Sequence, residues 1–178
     1  MPSSGAVTEG AQDFSGAKTF QAGLGAGQHR TQGLIAANTV STGNGADQTE
    51  DILQSFVLPA NSLSANGKGV RVRAWGTTAA NADNKQVKLY FGASVLASGV
   101  AAANNVAWNL EIVVLRTAAG AQSVIGGGNF NAASVSPAYT SGTDDETTAL
   151  TIKCTGQDST ASSANAIVCK GMIVEFLN

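Results

Sequence analysis

The chain has 178 residues, of which 12% are charged, and its formal net charge is −2. This length is enough for one domain with a hydrophobic core plus a terminal segment, and the charged share is well below the roughly 25% of ordinary soluble domains. The ten Lys and Arg residues are scattered, which argues against nucleic acid as a partner. No apolar run approaches the roughly 20 residues that span a bilayer, and the first residues lack the pattern of a secretory signal, so no membrane partner is expected.

Residues 1–45 differ in composition from the rest of the chain. They are rich in Gly, Ala, Ser, Thr and Gln, and Phe14 and Phe20 are their only aromatic residues. No apolar periodicity is sustained there, so this segment alone could not bury enough apolar surface to offset the entropic cost of ordering it. We therefore predict an extended N-terminal arm over residues 1–45, disordered or ordered by other chains, followed by one domain over residues 46–178.

From about residue 50 onward, apolar and polar residues alternate with the period of a β-strand. No stretch carries the apolar spacing of an amphipathic helix. About eight strands predict an all-β, two-sheet antiparallel sandwich with the jelly roll as the leading topology, and a change of apolar parity at Gly171 predicts a β-bulge. The predicted strands are Asp51–Leu58, Gly69–Trp75, Gln86–Phe91, Ser94–Ser98, Val106–Thr117, Ala121–Ile125, Thr147–Thr155 and Ala166–Leu177.

The same alternation assigns the aromatic and basic side chains to faces. Trp108 has the parity of the apolar residues on its strand, which predicts a core position. The other set faces outward, and we interpret it first as a protein interface, because aromatic and Arg residues dominate contact hot spots. A sugar-binding platform is the second interpretation. The outward set consists of Arg71, Arg73, Trp75, Lys88 and Tyr90.

Two cysteines, Cys154 and Cys169, lie near the C-terminus. Two are too few for a disulfide scaffold or for a zinc site made of Cys alone. Because folding in the cytosol leaves thiols reduced, we predict two small core residues that face each other, with a cross-strand disulfide as the alternative.

One histidine, His29, lies in the segment GLGAGQHR, which superficially resembles a phosphate-binding loop. A phosphate cradle needs a strand before it and a helix after it, and neither is predicted here. We therefore expect no nucleotide or other cofactor, and interpret the segment as a close-packing part of the arm.

The carboxylates offer little catalytic chemistry. The cluster Asp144, Asp145 and Glu146 could hold a hard cation, but it lacks alternating oxygen ligands, so a solvated loop is the preferred interpretation. Glu111 and Glu175 face outward without a facing carboxylate for glycoside hydrolysis. The sequence thus predicts no catalytic residue, no metal site and no enzyme activity.

Residues 10–20, GAQDFSGAKTF, resemble the short repeat of bacteriophage fibre proteins, G-A-Q-x-F-x-G-x-K-T-F. The portion from SFVLPANSL to VCKGMIVEFLN also resembles small β-domains of phage virion proteins. The resemblance implies a virion structural protein, a capsid decoration (cement) or short head or tail fibre protein, usually trimeric and assembled in the host bacterial cytoplasm. The residues that match the repeat are Gly10, Ala11, Gln12, Phe14, Gly16, Lys18, Thr19 and Phe20.

The leading hypothesis is a homotrimeric decoration subunit that docks on the major capsid protein or another virion protein and stabilises it. A 45-residue arm spans at most about 150 Å, which is short for a fibre shaft. The alternative is a tail-fibre or lectin-like domain that recognises host surface glycans, and a glycan-cleaving enzyme is third. The segments Ala79–Lys85 and Ser134–Glu146, taken as loops, offer only Tyr139 for stacking on sugars. The expected interface residues are Phe14, Lys18, Phe20, Arg71, Arg73, Trp75 and Tyr90.

Overall fold

A computed structural model of the protein describes residues 32–131, 133–159 and 163–177. The chain divides between Arg30 and Thr31. The fibre-like repeat with Phe14, Lys18 and Phe20, and the segment around His29, lie outside the described residues. Within the described ranges, no helix is long and apolar enough to cross a membrane.

The described residues form antiparallel strands in two sheets, which confirms the predicted all-β sandwich. The large sheet has the order β1-β11-β4-β7-β8-β9, with β2 also paired to β11, and the small sheet has the order β3-β10-β5-β6. The strands are β1 (Gln32–Asn38), β2 (Thr42–Gly43), β3 (Asp51–Leu58), β4 (Gly69–Thr78), β5 (Asn84–Phe91), β6 (Ser94–Ala102), β7 (Ala107–Ala118), β8 (Ala121–Phe130), β9 (Ala133–Gly142), β10 (Leu150–Asp158) and β11 (Ile167–Leu177).

The strand order follows the jelly-roll winding. When β2 and the β8–β9 hairpin are set aside, the first strand pairs with the last, the second with the seventh, the third with the sixth, and the fourth with the fifth. This is a long hairpin wound into two four-stranded sheets, the jelly-roll topology. The β8–β9 hairpin then widens the large sheet beyond β7.

The core lies between the sheets and consists of the alternate apolar residues of their strands. Trp108 is 2% exposed, so its predicted core position is confirmed. The predicted bulge at Gly171 is also confirmed, because the β4–β11 register shifts between Cys169 and Gly171. The shift keeps Cys169 before the bulge and Met172 and Val174 after it in the core.

The two cysteines face each other across the core. Cys154 lies on β10 of the small sheet and Cys169 on β11 of the large sheet, both as buried free thiols. A hydrogen bond with Cys169, together with burial, raises the pKa of the Cys154 thiol, and the Cys169 thiol lies 3.4 Å from the carbonyl oxygen of Gly171. The core-pair prediction is confirmed, with the pair bridging the sheets rather than neighbouring strands.

Edge strands were the elements that sequence patterning missed. Residues 32–43, assigned to the arm, contain β1 and β2, and both pair with β11. Segment 134–146, taken as a loop, contains most of β9, which pairs with β8. These strands are formed by backbone hydrogen bonds to a neighbour, and few of their described side chains are buried, so they leave a weak alternation in the sequence.

The acidic cluster is not simply a solvated loop. Glu146 is only 4% exposed, and its carboxylate lies 2.5 Å from the Arg116 guanidinium and accepts the Gly120 N–H at 3.0 Å. The hydrogen bond from Arg116 lowers the pKa of Glu146 despite its burial. Asp144 accepts the backbone N–H of Ala93 at 3.0 Å. The solvated interpretation was therefore wrong for Glu146, which fixes the loop to β7.

Lys85, predicted as the end of a loop, is a fully buried residue of β5. Its ammonium group donates to the carbonyl oxygens of Asn81, Asp83 and Ala103 at 3.1, 3.1 and 2.8 Å, and to the Asn81 side-chain oxygen. The oxygens surround the charge and organise the loop before β5.

Candidate binding face

The outward residues predicted from the sequence do not form one patch. Arg71, Arg73 and Trp75 lie on the outer face of the large sheet, on β4, whereas Lys88 and Tyr90 lie on the outer face of the small sheet, on β5. The joint Arg, Trp, Tyr and Lys surface expected from parity was wrong, because parity gives the face of a strand but not the sheet it joins.

On the small sheet, Tyr90 belongs to a network centred on Glu50. The Glu50 carboxylate accepts hydrogen bonds from the hydroxyls of Tyr90 and Thr155, each at 2.6 Å, and lies 2.5 Å from the Lys88 ammonium. Burial alone would raise the pKa of Glu50, but the hydrogen bonds from Lys88, Thr155 and Tyr90 outweigh it and lower this pKa to about 2. The Lys153 ammonium also lies 4.6 Å from the centre of the Tyr90 ring. Neighbours thus engage both the ring and the hydroxyl of Tyr90.

The outer side of the large sheet is organised in three rows that cross the strands. The first row runs from Gly171 through Trp75 to the two asparagines, the second contains the Arg73–Glu111 pair, and the third runs through Arg71 to the aliphatic residues. We call this surface the Trp75 face; its residues are Gly171, Trp75, Asn109 and Asn129, then Ile173, Arg73, Glu111 and Gly127, then Glu175, Arg71, Val113 and Ile125.

Trp75 lies over Gly171, its partner in the β4–β11 register. The atoms of the benzene part of its indole occupy the space that a Cβ at Gly171 would need. The absence of a side chain therefore lets the indole settle on the backbone, while 37% of Trp75 remains exposed. The sequence predicted the outward direction of Trp75 but not this seat, which lies almost a hundred residues further along the chain.

Both arginines of the Trp75 face are paired with glutamates on adjacent strands. The Arg73 Nε lies 2.9 Å from Glu111, and the Arg71 Nε lies 2.7 Å from Glu175. Neither glutamate has a partner that the sequence pattern predicts, and in the structure each is paired with an arginine. The pairs fix the direction of the side chains and cancel the charge of the face, although exposed pairs of this kind stabilise the fold little.

A shallow groove of about 330 Å³ runs along β7 and β8 on the Trp75 face. It exists because Gly127 adds no side chain to the middle row. A second open groove, of about 530 Å³, includes Asn109 and Asn129 at the same end of β7. Asn109 lines both grooves, and its side-chain oxygen lies 3.4 Å from the amide nitrogen of Asn129. The residues that line the first groove are Asn109, Glu111, Val113, Ile125, Gly126, Gly127 and Gly128.

Within the described ranges, no group of three or more His, Cys, Asp or Glu residues lies close enough together to hold a metal ion. The features that stand out are an exposed indole, planar amide groups and neutralised ion pairs on an open sheet. The fold and this face define a jelly-roll sandwich domain with an open, aromatic-bearing sheet surface.

No family model matches the sequence, and no curated protein matches it. Among solved structures, the chain is similar to the CBM2 module of the evolved Dit of Lactobacillus casei BL23 phage J-1. The two share 11% sequence identity over 68% of this chain and 67% of that one, with a TM-score of 0.35. A likeness this weak assigns no function to the chain.

Proposed function

We propose that this protein is a non-enzymatic structural subunit of a virion, a head decoration or short fibre protein that attaches through its N-terminal segment. The observation that carries the proposal is that the residues from Gln32 onward form a two-sheet sandwich with a continuous apolar core of their own. The buried apolar core residues of the described part of the chain lie between Leu53 and Val174, and of the described residues before residue 46 only Ile35 and Ala36 pack against them. We infer that the fibre-like repeat at residues 10–20 contacts another chain of the virion.

The place where the chain enters the sandwich supports an attachment role. β1 is the edge strand of the large sheet, and Gln32 pairs with Leu177 at the end of β11. The segment that carries the repeat is thus continuous with an edge strand, a position that suits a segment whose partner is another chain.

Self-association, with a homotrimer as the expected state, is supported by the outer face of the small sheet. Four aliphatic side chains are exposed there around the Glu50 network: Ile52, Val57, Val95 and Val100. Exposed apolar groups that surround a neutralised polar centre are typical of surfaces that become buried in an oligomer.

The test compares the full chain with a chain that lacks residues 1–31. Both are mixed with phage particles stripped of the protein and sedimented, and their thermal unfolding and light-scattering masses are measured. We expect the shortened chain to unfold as cooperatively as the full one and to lose attachment. Undiminished attachment of the shortened chain, or a monomeric full chain at micromolar concentration, would refute the corresponding part of the proposal.

A second candidate function, recognition of host surface glycans, is favoured by the position of Trp75. The segments taken as loops have little aromatic content, which counts against glycan binding by loops. The exposed indole of Trp75 instead lies on the sheet itself, beside planar polar side chains, and offers sugars a stacking surface that does not depend on the loops.

A further inference from the structure

We propose that the Trp75 face binds a neutral oligosaccharide, with one sugar ring stacked on the Trp75 indole and the next rings hydrogen-bonded along Asn109 and Asn129. The proposal deepens the second candidate function and rests on it. It is independent of attachment through the N-terminal segment.

The indole supplies the stacking surface. Sugar rings present patches of C–H groups, which pack on flat aromatic faces because both surfaces are apolar. Trp75 is backed by Gly171 on one side and exposed on the other, so it is held in place before any ligand arrives. A contact surface that is already ordered loses little conformational entropy on binding.

The neighbouring row supplies polar groups at the right spacing. Neighbouring strands lie about 4.8 Å apart, so Trp75, Asn109 and Asn129, which are paired across β4, β7 and β8, span about 10 Å. This length suits two linked sugar rings. Each Asn amide offers both a donor and an acceptor, which matches the hydroxyl groups at the edge of a sugar.

The charge of the face selects a neutral ligand. Arg71 and Arg73 are each paired with a glutamate, so no cation of these pairs remains to attract an acidic polymer. Binding an anion would require one of these pairs to open. A neutral sugar can instead hydrogen-bond to the paired groups as they stand, because guanidinium and carboxylate groups keep unused donors and acceptors in a pair.

The grooves give the ligand room beyond Trp75. Asn109, the register partner of Trp75, lines both the groove beside Gly127 and the groove at Asn129, so a sugar chain that reaches Asn109 from Trp75 can continue into either groove. An open path of this kind suits an internal stretch of a polysaccharide rather than a single closed-in sugar, which calls for a deeper pocket.

The full-length protein is screened on an array of neutral and acidic oligosaccharides, and the best neutral probe is titrated while tryptophan fluorescence is recorded. Trp75→Ala is expected to weaken binding at least tenfold and Asn109→Ala to weaken it measurably, while Trp75→Tyr keeps part of the affinity. Val40→Ala, which truncates an exposed apolar side chain outside the Trp75 face and outside the outer face of the small sheet, is the control and should bind like the unaltered protein. Melting temperatures verify that each variant is folded.

Three results would overturn the proposal: retention of no neutral oligosaccharide at millimolar concentration, retention of acidic ones alone, or unchanged affinity of folded Trp75→Ala. Sedimentation of Trp75→Ala with stripped particles separates the two proposals. If Trp75→Ala still attaches to the particles but no longer binds sugar, both proposals are supported. If Trp75→Ala no longer attaches and the unaltered protein binds no sugar, the Trp75 face is a protein interface.

Discussion

Replacing Lys85 by Met should destabilise the sandwich more than any other substitution of a lysine in the described residues. Lys85 is 0% exposed, and its ammonium donates to three backbone carbonyls and the Asn81 side chain. Asp158, its partner in the β5–β10 register, is also 0% exposed. Met fills a similar volume and keeps the chain apolar, so the substitution removes chiefly the charge and its hydrogen bonds.

The expected cost follows from what remains behind. The carbonyl oxygens of Asn81, Asp83 and Ala103 lose a charged donor, and hydrogen bonds to charged groups contribute about 1.5–3 kcal/mol each when counted singly. The contributions are not additive, and Met avoids the cost of burying an ammonium. A buried acceptor left without its partner costs about 1–3 kcal/mol, and with three carbonyl oxygens affected we expect a net loss of about 3 kcal/mol, a large part of the roughly 5–15 kcal/mol of a whole domain.

Urea unfolding followed by circular dichroism measures the free energy of unfolding. The matched control is Lys88→Met, three residues along β5, where the ion pair with Glu50 is partly exposed and a loss of about 1 kcal/mol is expected. The free energy of unfolding of Lys85→Met could fall by less than about 1 kcal/mol, or by no more than that of Lys88→Met. Either result would show that the hydrogen bonds from Lys85 to the surrounding carbonyl oxygens do not stabilise the fold as expected.

Three further predictions concern other parts of the sandwich. Gly171→Ala should displace the Trp75 indole, shift its fluorescence and lower the free energy of unfolding in urea by about 1–3 kcal/mol, as overpacking does. An unchanged fluorescence spectrum would contradict the packing of Trp75 on Gly171. The folded-state pKa of Glu50, about 2, lies below the ordinary 4.5. Its contribution to stability is therefore full above pH 4.5 and lost as pH falls toward 2. In Glu50→Gln, the urea midpoint of unfolding should fall less steeply as the pH is lowered from 4.5 toward 2. A fall as steep as in the unaltered protein would count against the network. Both thiols, Cys154 and Cys169, should resist Ellman's reagent in the native protein and react in denaturant; fast native reaction would show that the core opens.

The sequence predicted the strands that face the core on one side and solvent on the other. Val72 and Leu89 belong to such strands, where alternation of side chains records the environment directly. It did not predict β1 or β9, since an edge strand of small residues is held by its neighbour's backbone. Domain limits drawn from composition therefore placed residues 32–43 with the arm.

The site could be predicted only in part. Parity showed that Trp75 faces outward, but its seat at Gly171 and its row partner Asn109 come from other strands. Likewise Glu146 reads as part of a polar loop until Arg116, thirty residues away, is placed beside it. Pairings of this kind depend on which strands become neighbours, and a single sequence with period-2 patterning leaves that choice open.

Because Gln32 pairs with Leu177, the first strand of the sandwich begins at the same end of the large sheet at which the last strand ends. A tag or cargo fused after the last strand would therefore begin close to Gln32, the first residue of β1. The turn after β8, where Asn131 adopts a positive φ of 53°, follows Phe130, which aligns with Trp108 and Gly76 at the other end of the large sheet. A foreign peptide grafted into that turn would project from the end of the large sheet opposite Gln32 and Leu177, which makes the turn the better position for surface display.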